Sequence, residues 1–430
     1  MTDPMPPELT AACAGIRPAG PADAVSGRQA RFVAEPAGTT EAAALMRAAA
    51  ALGLTVVPRG SGSRLAWGLA PRRCDLIVDT RRMNGVLEHA AGDLVVRVQA
   101  GLTLNALQDK LAAEGQRLAL DPPGGGTIGG LIATGVAGPL RFRYGSARDL
   151  LIGLTIVRAD GTVAKAGGKV VKNVAGYDLG KLFAGSYGTL GLITEATFRL
   201  HPLPAASEYV TLDCQDVAAA AGTVQTAAAS PLAPAAIELD WPAAAAALRV
   251  SVLLEGDEAS VAERAGRMLG LLGPLGQRGT AASRPAQRKR ADRDLGHPAQ
   301  PAGWTYITVG YWAGQLTSVL GVIRTAAAEQ ALDPAVHGSA AGVLDVSLSR
   351  ESSASAVAGF VGALRAGLGG LADDAGPPST ASAVVLDAPP AVRDAVDMWG
   401  PVPSPGLMRA IKDQFDPEHR MAPGRFAGGI

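Results

Sequence analysis

Between Asp121 and Gly138 the chain reads Asp-Pro-Pro-Gly-Gly-Gly-Thr-Ile-Gly-Gly-Leu-Ile-Ala-Thr-Gly-Val-Ala-Gly. Consecutive glycines lack the Cβ that would keep a ligand off the backbone, so successive N–H groups can be aimed at one anion. Thr127 is placed to cap a helix starting beside them, whose positive end would face the same point. A diphosphate suits such a site. Gly124-x-Gly126-x-x-Gly129 has the letters of the dinucleotide fingerprint, but that fingerprint needs a strand running directly into its first glycine, and Pro122 and Pro123 intervene. A Rossmann reading is rejected.

A second loop, Arg59-Gly60-Ser61-Gly62-Ser63-Arg64-Leu65, has Leu65 at the third fingerprint position and fails the same test. It serves instead as a second amide nest. Two nests on either side of a β-α-β region are what a dinucleotide pyrophosphate held without a Rossmann fold requires. Arg59 or Arg64 can add charge-assisted bonds, or either can be a solvated loop arginine.

The elements that must position these loops are readable around them. Residues 1–26 form a loose lead-in. Phe32-Val-Ala begins a strand, and Thr39 to Leu52, followed by Gly53, predicts a helix capped by Thr39. Thr55–Pro58 returns as a strand, completing a β-α-β unit. Asp75–Asp79 and Val95–Gln99 read as strands. Leu104, Leu107 and Leu111 define one face of a helix that ends at Gly115. Leu151–Arg158 and Thr162–Ala166 form a hairpin about Asp160-Gly161. In Leu192–Leu200, the residues Leu192, Ala196, Phe198 and Leu200 face one way and Ile193, Glu195, Thr197 and Arg199 the other, predicting a half-buried strand.

From Ala205 to about Pro401, strand-like runs (209–213, 236–240, 248–254, 306–309, 343–348, 383–386) alternate with helix-like ones (259–272, 315–331, 353–368). That order suits an α+β cap domain. Pro274–Gly303 reads as a loop whose arginines, Arg284, Arg288, Arg290 and Arg293, are interrupted by Asp292 and Asp294 and face solvent or a partner.

The chain has 430 residues, 48% hydrophobic and 18% charged, with Lys+Arg and Asp+Glu both 39. This balance favours neither nucleic acid nor an anionic membrane. Met1–Gly20 lacks a signal pattern and no apolar run reaches the ~20 residues of a membrane span, so a cytoplasmic protein without a transmembrane segment is expected. Cys13, Cys74 and Cys214 are isolated and too few for a four-thiolate cluster, so any iron–sulfur centre lies in another chain. His89, His201, His297, His337 and His419 show no metal-ligand spacing, and no metal is expected.

These residues together resemble the FAD-binding proteins of the vanillyl-alcohol oxidase and p-cresol methylhydroxylase type. The similarity covers about Gly27 to Pro202. Its markers are Arg59-Gly-Ser-Gly-Ser63, Gly126-Thr-Ile-Gly-Gly130, Tyr144-Gly-Ser-x-x-Asp149 and Lys172-Asn173-x-x-Gly-Tyr177-Asp178 leading to Gly188-Thr-Leu-Gly-Leu-Ile193. The resemblance implies an α+β fold: a two-subdomain FAD-binding domain (27–203), an α+β, ferredoxin-like cap (204–402), and a C-terminal segment (403–430) returning to the FAD domain. That segment carries Ala422-Pro-Gly-Arg425 where the family usually has Asn-Pro-Gly-Arg, and its Pro-Gly turn is expected to end a helix.

The cofactor implied is FAD. The resemblance places pyrophosphate contacts at Arg59, Gly60, Ser61, Gly62 and Ser63, with Pro122 and Thr127, Ile128, Gly129 and Gly130 on the second loop. It places adenine or ribityl contacts near Thr134, Ser146 and Asp149, and backbone bonds to the adenosine side at Gly191, Leu192 and Ile193. Members with covalent flavin often have a histidine in the first loop; Ser61 and Ser63 there imply noncovalent FAD. Lys172 to Asp178 resembles the 2-hydroxy-acid group, which includes glycolate oxidase and D-lactate dehydrogenase subunits. The His-x-Gly-Asp-Gly-Asn-type motif of their larger catalytic subunits is missing, so the chain is most similar to the smaller FAD-binding subunit of bacterial glycolate oxidase. That implies a catalytic flavin subunit and an iron–sulfur subunit as partners and a small 2-hydroxy acid as substrate. The alternative is a stand-alone flavin dehydrogenase whose base is not identified, with Tyr177 and Lys172 as weak candidates.

Overall fold

Alanine and leucine on one face of the predicted first helix need a sheet to cover, and the sheet is there. In the computed structural model, which describes residues 4–168, 178–243, 247–273, 276–280, 303–339, 342–371 and 381–430, the chain divides into two compact units. One unit comprises Met1–Ala137, Gly145–Leu203 and Val402–Ile430; the other comprises Gly138–Tyr144 and Pro204–Pro401.

The first unit contains β1 (Ile16–Pro18), the hairpin β2 and β3 (Ala24–Val25, Arg28–Gln29), β4 (Phe32–Ala34), β5 (Val56–Arg59) and β6 (Leu76–Asp79). β1, β4, β6 and β5 form one sheet in that order, with β4 and β5 each parallel to β6. The helix Thr39–Ala51 makes the crossover between β4 and β5 and buries Ala42, Leu45, Met46 and Ala49 against Phe32, Val56 and Leu76. Its cap differs from the expectation: Gly38 is the N-cap residue, and the Thr39 hydroxyl bonds to Thr194 and Glu195 instead. Glu41 satisfies the free amide of Ala37, 2.7 Å away, by reaching back over the helix start.

β7 (Val86–Ala90), β8 (Val95–Gln99), the short β9 (Gln116–Arg117), β10 (Leu151–Val157), β11 (Val163–Gly167), β12 (Leu192–Arg199) and β13 (His201–Pro202) follow. β11, β10, β12, β8 and β7 make an antiparallel sheet, while β9 pairs with β13. The predicted hairpin is β10 and β11, with Gly161 at φ +80°. β12 is not half-buried. Ile193 and Thr197, expected on an open face, are each 6% exposed, because β12 lies centrally, between β10 and β8, and helices Thr39–Ala51 and Ile128–Thr134 both pack on it.

The second unit runs β14 (Ala206–Cys214), helix Val217–Ala229, β15 (Ala236–Trp241), β16 (Leu248–Gly256), helix Glu258–Leu272, β17 (Gln277–Thr280), then β18 (Thr305–Gly310), helix Leu316–Glu329, β19 (Ala335–Ser339), β20 (Val343–Leu348), helix Ala354–Gly369 and β21 (Ser382–Asp387). Its eight strands lie in the order β17-β14-β16-β15-β19-β20-β18-β21. Each half is a β-α-β-β-α-β unit whose strands lie in the spatial order fourth, first, third, second. The second unit is therefore two ferredoxin-like halves joined through their second strands, β15 and β19, with Asp240 opposite His337. β17 falls in the stretch expected to be loop; the arginines from Arg284 to Arg293 lie outside the described residues. Among the described residues no helix is long and apolar enough to cross a membrane.

Candidate cofactor-binding site

β5 delivers the first loop. At its end Gly60 packs against the second loop so closely that a Cβ there would lie 2.0 Å from the Thr127 hydroxyl oxygen. Gly124, Gly125 and Gly126 all take left-handed φ values (+76°, +55°, +122°), which side chains rarely tolerate, so the triple glycine is a backbone requirement. Thr127 is the N-cap of the helix Ile128–Thr134 as expected, accepting from the Gly130 amide at 3.4 Å. The two loops border one cleft of about 750 Å³, counting the solvent at its mouth. β12 supplies Leu192 and Ile193 to its wall, and Thr80, Ala100, Tyr187 and Arg425 complete it.

The loops do not contribute alike. The Ile128 amide donates to the Leu102 carbonyl (2.8 Å) and the Gly129 amide to that of Ala100 (2.7 Å), so both are engaged inside the protein. The amides of Gly60, Ser61, Gly62 and Ser63 have no acceptor among the described residues. Gly129 is needed for packing: its Cβ would sit 2.9 Å from that of Ala100.

The arginines also separate. Arg59 is not a solvated arginine; it pairs with Asp79 (3.0 Å) and Asp23 (2.9 Å), two buried carboxylates. Arg64 is buried too, but donates to the carbonyls of Gly125 (2.8 Å) and Pro123 on the second loop. Its Nε has no hydrogen-bond partner, and burial pushes its pKa down to about 10. Behind it Arg425 donates to the Leu65 and Trp67 carbonyls (2.7 and 2.8 Å). Tyr187 has φ +55° and a phenol that burial pushes up to about 12.

The cleft thus gathers Arg59, Gly60, Ser61, Gly62, Ser63, Thr127, Gly129, Gly130, Thr134, Gly191, Leu192 and Ile193. Pro122, Ile128, Ser146 and Asp149 do not line it. Ile128 is buried in the core. Ser146 and Asp149 engage each other: the carboxylate accepts from both the amide and the hydroxyl of Ser146 at 2.8 Å, a capping box for a short helical turn. Burial of Asp149 is outweighed by those bonds, which hold its carboxyl below the usual range. Lys172, Asn173 and Tyr177 lie outside the described residues. Sequence reasoning missed Tyr187, whose left-handed backbone carries no residue-type signal, and named Arg425 only as part of the terminal turn.

His89 bonds Gln116 (2.9 Å), and His419 pairs with Asp413 (2.9 Å). His337 is 2.8 Å from Asp240 across the seam of the second unit. Among the described residues no group of His, Cys, Asp and Glu could hold a metal ion. The thiols of Cys13 and Cys74, both buried, are pushed up to about 11 by that burial.

A buried cation with an orphaned Nε beside four unengaged amides, in a cleft kept open by glycines, fits a diphosphate-bearing cofactor. Built into a split α+β unit joined to an antiparallel second unit, this is the fold of the p-cresol methylhydroxylase-type FAD proteins. Residues 30–167 match the FAD binding domain family, and the cofactor is FAD. The glycolate oxidase subunit GlcD of Bacillus subtilis is 37% identical over 216 residues, 49% of this chain and 45% of that protein. GlcE of Escherichia coli is 41% identical over 133 residues, 30% of this chain and 38% of that one. The matched region thus spans less than half the length of these curated relatives. In fold, p-cresol methylhydroxylase aligns with a TM-score of 0.70 at 14% identity, covering 97% of this chain and 95% of that one. An alkyldihydroxyacetonephosphate synthase aligns at 0.68 and 19%, covering 93% and 78%.

Proposed function

We propose that this chain is an FAD-dependent oxidoreductase acting on CH–OH groups, the noncovalent FAD-binding subunit of a complex that oxidises glycolate or a similar 2-hydroxy acid. The observation that carries it is the cleft, where free amides and a buried arginine meet within the matched FAD domain. The substrate class follows the relatives, two glycolate oxidase subunits and dehydrogenases of D-lactate and D-2-hydroxyglutarate. Ser61 and Ser63 line the cleft at the first loop, where members with covalent flavin often carry a histidine, and this favours noncovalent FAD.

When bound, the flavin would accept or relay the electrons drawn from the 2-carbon of the substrate within the complex. The first loop binds and orients it, and Leu192 and Ile193 form part of the cleft wall beside it. No described residue is assigned as the base that takes the hydroxyl proton. Three isolated cysteines are too few for a four-thiolate cluster, so an iron–sulfur centre of such a complex would lie in another chain, and the missing His-x-Gly-Asp-Gly-Asn-type motif favours a catalytic flavin site in a partner subunit. The dehydrogenase relatives favour a second reading, a stand-alone enzyme.

An anaerobic spectrum before and after addition of glycolate or D-lactate separates the two. A flavin band that stays unbleached is the expected result, with bleaching restored by the partner subunits. Bleaching of the isolated chain makes it a stand-alone dehydrogenase. A purified chain that neither carries nor takes up FAD overturns the assignment.

A further inference from the structure

The two arginines of the first loop are equivalent by sequence and opposite by environment. Arg59 is neutralised by Asp79 and Asp23. Arg64 is 7% exposed and borders the cleft, yet no carboxylate among the described residues lies within ion-pair reach. Its partners are neutral: the carbonyls of Pro123 and Gly125, the Ser63 hydroxyl at 3.5 Å, and the Trp67 ring, 5.3 Å from its Cζ to the centroid. Those bonds occupy Nη1 and Nη2 and leave Nε unpaired. A buried cation without a counter-charge is disfavoured, and the fold keeps it beside four amides that also lack acceptors. Arg425 fixes the backbone just past it through the Leu65 and Trp67 carbonyls.

We propose that Arg64 supplies the positive charge that recognises the cofactor's diphosphate, with Arg425 as the positioning residue that holds its loop and Arg59 as a strut. This rests on the FAD reading above. The anion provides the counter-charge that the protein withholds, so recognition is of the diphosphate, not of the flavin ring or the adenosine.

The test uses the full chain stripped of flavin, titrated with FAD, ADP, inorganic pyrophosphate and riboflavin, following affinity and thermal midpoint. Pyrophosphate and ADP are expected to raise the midpoint of the wild-type apoprotein, with ADP affinity falling as salt is added and riboflavin affinity unaffected. Arg64→Gln is expected to lose on the order of 10- to 100-fold in FAD and ADP affinity with riboflavin affinity unchanged, the loss of one charged hydrogen bond. Arg64→Lys recovers part of that loss. Arg59→Gln lowers the midpoint but keeps the ratio of FAD to riboflavin affinity. Equal losses for FAD and riboflavin in Arg64→Gln, or wild-type ADP affinity in it, overturn the proposal. Should Arg64→Gln fail to fold, the wild-type series decides, since ADP affinity indifferent to salt also overturns it. Wild-type protein that does not bind FAD at all refutes the FAD reading instead.

Discussion

Gly62 has φ +80°, and a Cβ built on it would meet only the Arg59 Cδ, 4.0 Å away. The space beside it is open, and its amide has no acceptor among the described residues. Gly62→Val is therefore expected to yield a folded, somewhat strained protein that purifies with little flavin, because the branched side chain occupies the ligand's approach. Gly129→Val meets the Cβ of Ala100 at 2.9 Å and should lower the thermal midpoint before any ligand is added. Flavin content and midpoint measured on both variants check the pair; full flavin in Gly62→Val refutes the role of the first loop. A second residue-scale consequence lies under the loop, at Asp23. The Arg17 side chain foremost, then the Gly20 amide and Arg59, overcome its burial and hold its carboxyl well below the usual range. A folded pKa below the unfolded value means stabilisation that is complete above about pH 4 and lost as the pH falls towards the folded pKa. Asp23→Asn is expected to cost about 2 kcal/mol at pH 7 and progressively less in acid. Urea unfolding at pH 7 and pH 3 checks this, and a cost independent of pH contradicts it.

At the scale of elements, the helix Pro405–Phe415 and the strand-like stretch after it tie the chain's last part into the first sheet. Val56 donates to the Arg420 carbonyl (2.8 Å) and Ala422 to that of Val56 (2.7 Å), extending the sheet beyond β5. The helix is anchored by a residue of the type least expected to do so. Lys412 is fully buried, with Nζ bonded to Asp416 (2.6 Å), the Thr189 carbonyl (2.7 Å) and that of Met421 (2.9 Å). Lys412→Met leaves the Asp416 carboxylate buried without its cation, and is expected to cost about 3–5 kcal/mol in denaturant unfolding. It should also lower flavin retention, since Arg425 follows in the same segment. A cost under about 1 kcal/mol would show the pair to be dispensable. The return of this segment was legible in Ala422-Pro-Gly-Arg425, but its anchor was not, because an i,i+4 Lys and Asp pair reads as a solvated helix face. The Pro-Gly turn does not end the helix, which stops at Phe415; it follows Ala422, a residue at φ +41°. In the cap most strands and helices were legible from periodicity. The helix Val217–Ala229 was not, since alanines on its other faces blur the stripe of Val217, Ala220, Ala221, Val224 and Ala227 that it buries, nor was β19, five residues with a glycine inside.

On the scale of the molecule, the cleft was legible where its chemistry is local and hidden where it depends on distant pairing. Glycines that free or shape a backbone announce themselves in a few consecutive letters. The bond between Arg425 and the Leu65 carbonyl joins residues 360 apart, and the contact of His337 with Asp240 joins residues 97 apart. No spacing rule reaches across such separations, so the doubling of the cap and the closure of the cleft by the last residues emerge only from the fold. The first unit is assembled from Met1–Ala137, Gly145–Leu203 and Val402–Ile430, and a ligand bound within it stabilises all three against unfolding together. At a thousandfold excess over its dissociation constant, FAD is expected to add about 4 kcal/mol to the protection of their core amides in hydrogen exchange. Within that pattern the loops should differ. The amides of Gly60 to Ser63, which have no acceptor among the described residues, exchange fast in the apoprotein and slow on binding, whereas those of Ile128 and Gly129, bonded to Leu102 and Ala100, are slow in both. Protection that rises around Gly60 to Ser63 but leaves Met421 to Phe426 unchanged would mean that the terminal segment opens independently of the cleft it lines.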